Sequence, residues 1–268
     1  MRSNNPVLSR LPEAAGSGYA VFEGAPGRRR RGTSPVPVWP GVDDTYAAPA
    51  PADTERMTYD HVIMRTGSLF AVLLVAAAAT WLLAPGLMLV GLAGGFVLGL
   101  VNAFKREPSP ALVLAYGAFE GMFLGGISKV FEDAYNGIVV QAVLATLSTF
   151  AVMLMLYRSG RIRVTPRFTR IMLIAVGGYA LFCLVNLGVA LFTDVNIRSG
   201  GLGLAIGAVG AVLAALSLVL DFDFIDRGVR QGIPARYAWT AAFGLAVTLV
   251  WLYIEFLRIL AILRGTDE

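Results

Sequence analysis

The run TGSLFAVLLVAAAATWLLAPGLMLVGLAGGFVLGLVNAF, residues 66–104, holds no charged side chain in 39 positions. An α-helix crosses a bilayer with about 20 apolar residues, so the run is too long for one crossing and long enough for two. Pro85-Gly86 divides it, because proline followed by glycine marks a tight turn. The spacing therefore predicts helices over about 66–84 and 86–104. Working outward, a polar loop (Lys105, Arg106, Glu107, Pro108, Pro110) leads to a third apolar helix, about Ala111–Ser128. A fourth, Gly137–Tyr157, carries no charge, and an arginine-rich loop follows it. Helices over about Ile171–Phe192, Gly201–Phe224 and Tyr237–Leu263 complete seven crossings. The fold class is an all-α polytopic membrane protein.

Composition agrees. Of 268 residues, 56% are hydrophobic and 15% charged, whereas a soluble domain carries about 25% charged residues. The first 60 residues stand apart, with eight of the thirteen prolines, the run Arg28–Arg31 and no apolar periodicity. Such a stretch buries too little apolar surface to offset its ordering entropy. Residues 1–60 are expected to form a disordered cytosolic tail that the fold does not need, and 61–268 the transmembrane domain. The arginine run is read as a solvated part of that tail rather than a nucleic-acid site, and the tail lacks the apolar segment of a secretory signal.

Basic residues orient a membrane protein by gathering on the cytosolic side. With the N-terminus inside, the tail, the loops at 105–106 and 158–170 and the loop holding Arg227, Arg230 and Arg236 contain 18 of the 22 basic residues. The exceptions are Lys129, Arg198, Arg258 and Arg264. The last two fit poorly with a helix ending outside, so a re-entrant last segment is the alternative to a full crossing. Glycines at 91, 94, 95 and 99, and at 203, 207 and 210, are read as packing residues for close helix approach.

Enzyme chemistry has little to work with. The single histidine, His61, precedes the first span, the single cysteine is Cys183, and no HExxH or GxSxG occurs. The intramembrane aspartates cluster at one helix end instead of lying on two helices. The only lysines are Lys105 and Lys129, which excludes a retinal lysine in the last helix. The glycine repeat ending at Gly207 is followed by Ala208 rather than lysine, so it is no phosphate loop. No enzyme activity and no cofactor are expected.

Charged groups inside spans are costly and mark function by default. Glu120 sits in the third helix with no near partner in sequence. Asp221, Asp223 and Asp226 crowd the end of the sixth, where Arg227 and Arg230 follow Asp223 and Asp226 at i+4. Glu255 and Arg258 on the seventh are spaced to neutralise each other. Asn102, Gln141 and Asn186 are read as interhelical hydrogen-bonding residues. Asp223, between Phe222 and Phe224, is expected to be the principal acidic control point, and Asp226 a surface partner of arginine.

Seven spans, Glu120-Gly121, the Ser217-Leu-Val-Leu-Asp-Phe-Asp223 end of the sixth helix and the Tyr237…Leu257-Arg258-Ile-Leu260 last helix together resemble the bacterial Bax inhibitor-1 family, also called the transmembrane BAX inhibitor motif family. The opening Met1-Arg-Ser-Asn-Asn-Pro and the segment Tyr157–Pro166 look like its actinobacterial branch. The resemblance implies six helices around a central last helix, a bacterial plasma membrane, and a calcium leak gated by pH. It also implies a proton-sharing aspartate pair, one member matching Asp223 and the other falling at Thr248, which cannot ionise. Glu255, two turns on, is the candidate substitute. The expected partners are the lipid bilayer, calcium ions and protons, with no nucleic acid. The competing reading is a non-conducting protein that binds and modulates other membrane proteins such as proteases.

Overall fold

The computed structural model describes residues 55–192 and 200–265. It contains seven helices long and apolar enough to span a membrane. They are α1 (Tyr59–Leu83), α2 (Met88–Phe104), α3 (Pro110–Ala134), α4 (Ile138–Arg158), α5 (Pro166–Phe192), α6 (Gly200–Gln231) and α7 (Ala238–Gly265). Short 3₁₀ turns at Pro85–Leu87 and Ala235–Tyr237 lead into α2 and α7.

Local chemistry sets the helix ends. Thr58 caps α1 by accepting from the His61 N–H at 3.3 Å. Proline opens α3 and α5, where its missing N–H is no loss. Glu132 closes the α3–α4 turn by accepting from the N–H groups of Gly137 (2.6 Å) and Val139 (3.1 Å). Gly137, with φ 78°, adopts a left-handed conformation that a residue with a Cβ tolerates poorly.

The folded part starts earlier than the tail reading placed it. Met57 is 1% exposed, its N–H bonds the Ile233 carbonyl (2.8 Å), and the Ala235 N–H bonds the Glu55 carbonyl (2.7 Å). The charged residues Asp60 and Arg65 hid the first turns of α1, Tyr59 to Arg65, from a search for uncharged spans. The tail reading for residues 1–54 lies outside the described residues.

Helix α7 is the organising element. It packs closely on α1, α3, α4 and α6, while α2 leans on α3 and α5 on α6. Four helices pack along its length, and α5 reaches it through Tyr179. Its 28 residues rise about 42 Å, enough to cross completely. Its far end is tied to the α3–α4 turn by Arg264, which donates to the Asn136 carbonyl (2.8 Å). A continuous helix of this length that ends beside the α3–α4 turn has the geometry of a crossing helix, not of a re-entrant one.

Small residues govern the packing. Lipid tails are as apolar as leucine, so helices associate through close backbone approach. Gly117, Gly121 and Gly125 set one face of α3 against Leu69, Leu73 and Ala77 of α1. Gly91 and Gly94 of α2 lie against the other side, at Phe119 and Phe123. Around α7 the core is made of Ala214, Leu218 and Val219 from α6 and Ala238, Ala241 and Leu252 from α7 itself. Large exposed side chains such as Leu82, Leu83, Ile171 and Ile174 form a surface suited to hydrocarbon.

Candidate functional site

Two polar layers interrupt the apolar interior along α7. In the first, the Thr248 hydroxyl donates to Asp221 Oδ2 at 2.7 Å, joining α7 to α6. Gly244, one turn earlier, makes room for it: a Cβ there would stand 3.1 Å from Asp221 Oδ1. Asp221 forms part of the wall of a cavity of about 460 Å³ between α2, α3, α6 and α7. Asn102, Leu220, Phe224 and Phe243 line it too, and exposed Lys105 and Arg106 stand at its rim.

Seven residues further along α7, about 10 Å by helical rise, lies the second layer. Glu255 is 2% exposed and accepts from Tyr179 of α5 at 2.6 Å and from Trp251 Nε1 at 3.3 Å. It also pairs with Arg258, whose Nη2 is 3.5 Å from the Tyr179 hydroxyl. Gly210 of α6 leaves the space, since a Cβ there would meet both Tyr179 and Glu255. A buried carboxylate with three donors is a satisfied structural group, as buried charge requires.

The remaining acids divide by helix face. Asp223 pairs with Arg227 one turn on. Asp226 accepts from Tyr59 of α1 (2.7 Å) and lies 3.5 Å from the Tyr157 hydroxyl of α4, with Arg230 at 3.0 Å. It gathers the ends of three helices on one membrane face. Glu120 lies in the α2–α3 seam, hydrogen-bonded by Tyr116 one turn earlier, and a Cβ on Gly95 would lie 2.8 Å from its Oε2. Among the described residues, no three His, Cys, Asp or Glu side chains come together as a metal cluster would.

The chain matches the family model described as "Bax inhibitor 1 like" over residues 5–265. It belongs to that family. No curated protein matches it. As a Bax inhibitor 1 like protein it is an integral, multi-pass membrane protein.

Within this Bax inhibitor 1 like chain, one expected pairing changes. Thr248 meets Asp221, not Asp223. Two residues advance a helix by about 200°, so Asp221 and Asp223 point to nearly opposite sides. The inward one is Asp221; Asp223 turns toward Arg227. Glu255 also proves no substitute partner for Asp223, because Tyr179, Trp251 and Arg258 already hold it. Sequence reasoning missed Tyr179 and Trp251. Trp251 could have been found from its i, i+4 spacing to Glu255, whereas nothing local in sequence links Tyr179 to residue 255.

Proposed function

We propose that the protein is a passive cation leak of a bacterial plasma membrane, without enzyme activity, in which the Asp221–Thr248 contact is the inner closing point. The observation that carries this is a carboxylate in the wall of a 460 Å³ cavity, hydrogen-bonded to the central helix. Calcium prefers oxygen ligands, and a carboxylate at a cavity wall attracts it. The family's two-aspartate gate depends on like charges that share a proton. Here a neutral hydroxyl stands opposite one carboxylate, so closure is a single donor–acceptor bond and its pH dependence is shallower than that of the paired gate.

The test is flux from calcium-loaded proteoliposomes across a pH series. Asp221→Asn is expected to change the rate severalfold, and Asp223→Asn to do much less. Thr248→Asp, which recreates the like-charge pair, should steepen the pH profile. Identical flux and pH profile in wild type and Asp221→Asn would overturn the assignment of the gate. Absence of flux in the wild type at every pH would overturn conduction itself and favour the non-conducting interaction protein.

A further inference from the structure

A second cavity, of about 440 Å³, lies between the start of α5 and the last turns of α6. Arginines from two helices, Arg170 and Arg227, line it together with Thr165 and Thr169, and apolar Val164 and Leu173 adjoin them. Leu173 is 65% exposed, and its neighbours Ile171 and Ile174 are equally open. The apolar side of the cleft thus continues onto the lipid-facing surface of α5, while its basic side lies at a helix end.

The charge around the cleft is one-sided. Five arginines fall within residues 158–170, and no Asp or Glu occurs anywhere from 134 to 193. Among the described residues, none of Arg158, Arg161, Arg163, Arg167 and Arg170 is paired with a carboxylate; Arg227 alone has one, Asp223. Orienting the chain requires only that positive charges lie on this face. It does not require a cleft, nor arginines from two helices lining the same one. Guanidinium forks match phosphate oxygens two at a time, and basic clefts between helices at the membrane surface suit anionic headgroups.

From this we infer that the α5–α6 cleft binds an anionic glycerophospholipid, its phosphate between Arg170 and Arg227 and its acyl chains along Leu173 and the outer face of α5. Because α5 lies at the edge of the bundle, packed on α6 and reaching α7 through Tyr179, a phosphate shared by these two arginines fastens this peripheral helix at its start.

Native mass spectrometry of the full-length protein, in mild detergent with equal phosphatidylglycerol and phosphatidylcholine of matched acyl chains, tests this. The wild type should retain phosphatidylglycerol in preference. Each basic residue near a lipid surface contributes a factor such that losing two weakens binding roughly thirtyfold, so Arg170→Gln/Arg227→Gln should lose the preference to about that extent. Lys105→Gln/Arg106→Gln, at the rim of the other cavity, should keep it. Equal retention of both lipids by the wild type would overturn the proposal without any variant. Equal loss in the two double variants would overturn it in favour of diffuse charge. Inorganic phosphate binding as tightly as phosphatidylglycerol, in a separate titration, would make the cleft a soluble-anion site and overturn the lipid assignment. Calcium flux enters none of these readouts, so the leak reading and the lipid site fail independently.

Discussion

At the scale of single residues, Glu255 and Arg258 give the sharpest expectation. Taking charges out of water is expensive, and the expense is recovered only when both partners remain. Arg258→Met removes a charged donor from a carboxylate that is 2% exposed, and should destabilise the protein by roughly 3 kcal/mol. Glu255→Gln/Arg258→Met removes both charges and should lose distinctly less. Unfolding of the purified variants in detergent measures both; a single variant no less stable than the double one would show that the pair does not act as a unit. The i, i+3 spacing made this pair legible in the sequence. Which of Asp221 and Asp223 faces inward was not legible, because both are flanked by large apolar residues and only the azimuth of α6 against α7 decides it. The tyrosine donors to Asp226 were equally hidden, since Tyr59 lies 167 residues away in sequence, whereas Arg230 at i+4 was legible.

At the scale of helices, uncharged length announced the spans, and the proline and glycine positions between them announced the turns. The helices overran those spans at their polar ends, as α3 does through Lys129, Glu132 and Asp133, because hydrogen bonding continues where hydrocarbon stops. Packing was legible only in part. The glycines of α2 and α6 stand out in sequence, but the tightest approach is the α1–α3 seam, carried by Gly117, Gly121 and Gly125 at GxxxG spacing. A Cβ on Gly125 would press on the Ala77 carbonyl, a backbone atom that cannot yield, whereas one on Gly117 would meet the flexible end of Leu69. Gly178 of α5 has open space where its Cβ would lie. Gly125→Ala should therefore cost about 1–3 kcal/mol by overpacking, Gly117→Ala less, and Gly178→Ala almost nothing. Thermal unfolding of the three purified variants gives the order, and a Gly178→Ala protein as unstable as Gly125→Ala would contradict it.

At the scale of the whole molecule, geometry and charge point to one orientation. Asp226 gathers the start of α1 and the end of α4 at the end of α6, through Tyr59 and Tyr157. Lys105, Arg106 and Tyr237 share the rim and wall of one cavity. These contacts place the ends near Arg65, Lys105, Arg158 and Arg230 on the same face, and that face carries the loops in which basic residues concentrate. The opposite face carries the α3–α4 turn and the end of α7, joined by Arg264 and Asn136. Two of the four basic residues that break the charge rule are thereby explained locally: Arg258 is neutralised by Glu255 and Arg264 serves as a hydrogen-bond donor to a turn. Positive charge is held in the cytosol, so the Arg161 and Arg230 loops should be cytosolic and Asn136 external. Single cysteines at 161, 230 and 136, each in a Cys183→Ala background, test this with a membrane-impermeant thiol reagent on intact cells. Labelling at 136 alone is the expected result, with 161 and 230 reacting only after the membrane is opened. Labelling of 161 or 230 in intact cells would invert the molecule, placing the Asp221 cavity outside and with it the inner closing point proposed for the leak.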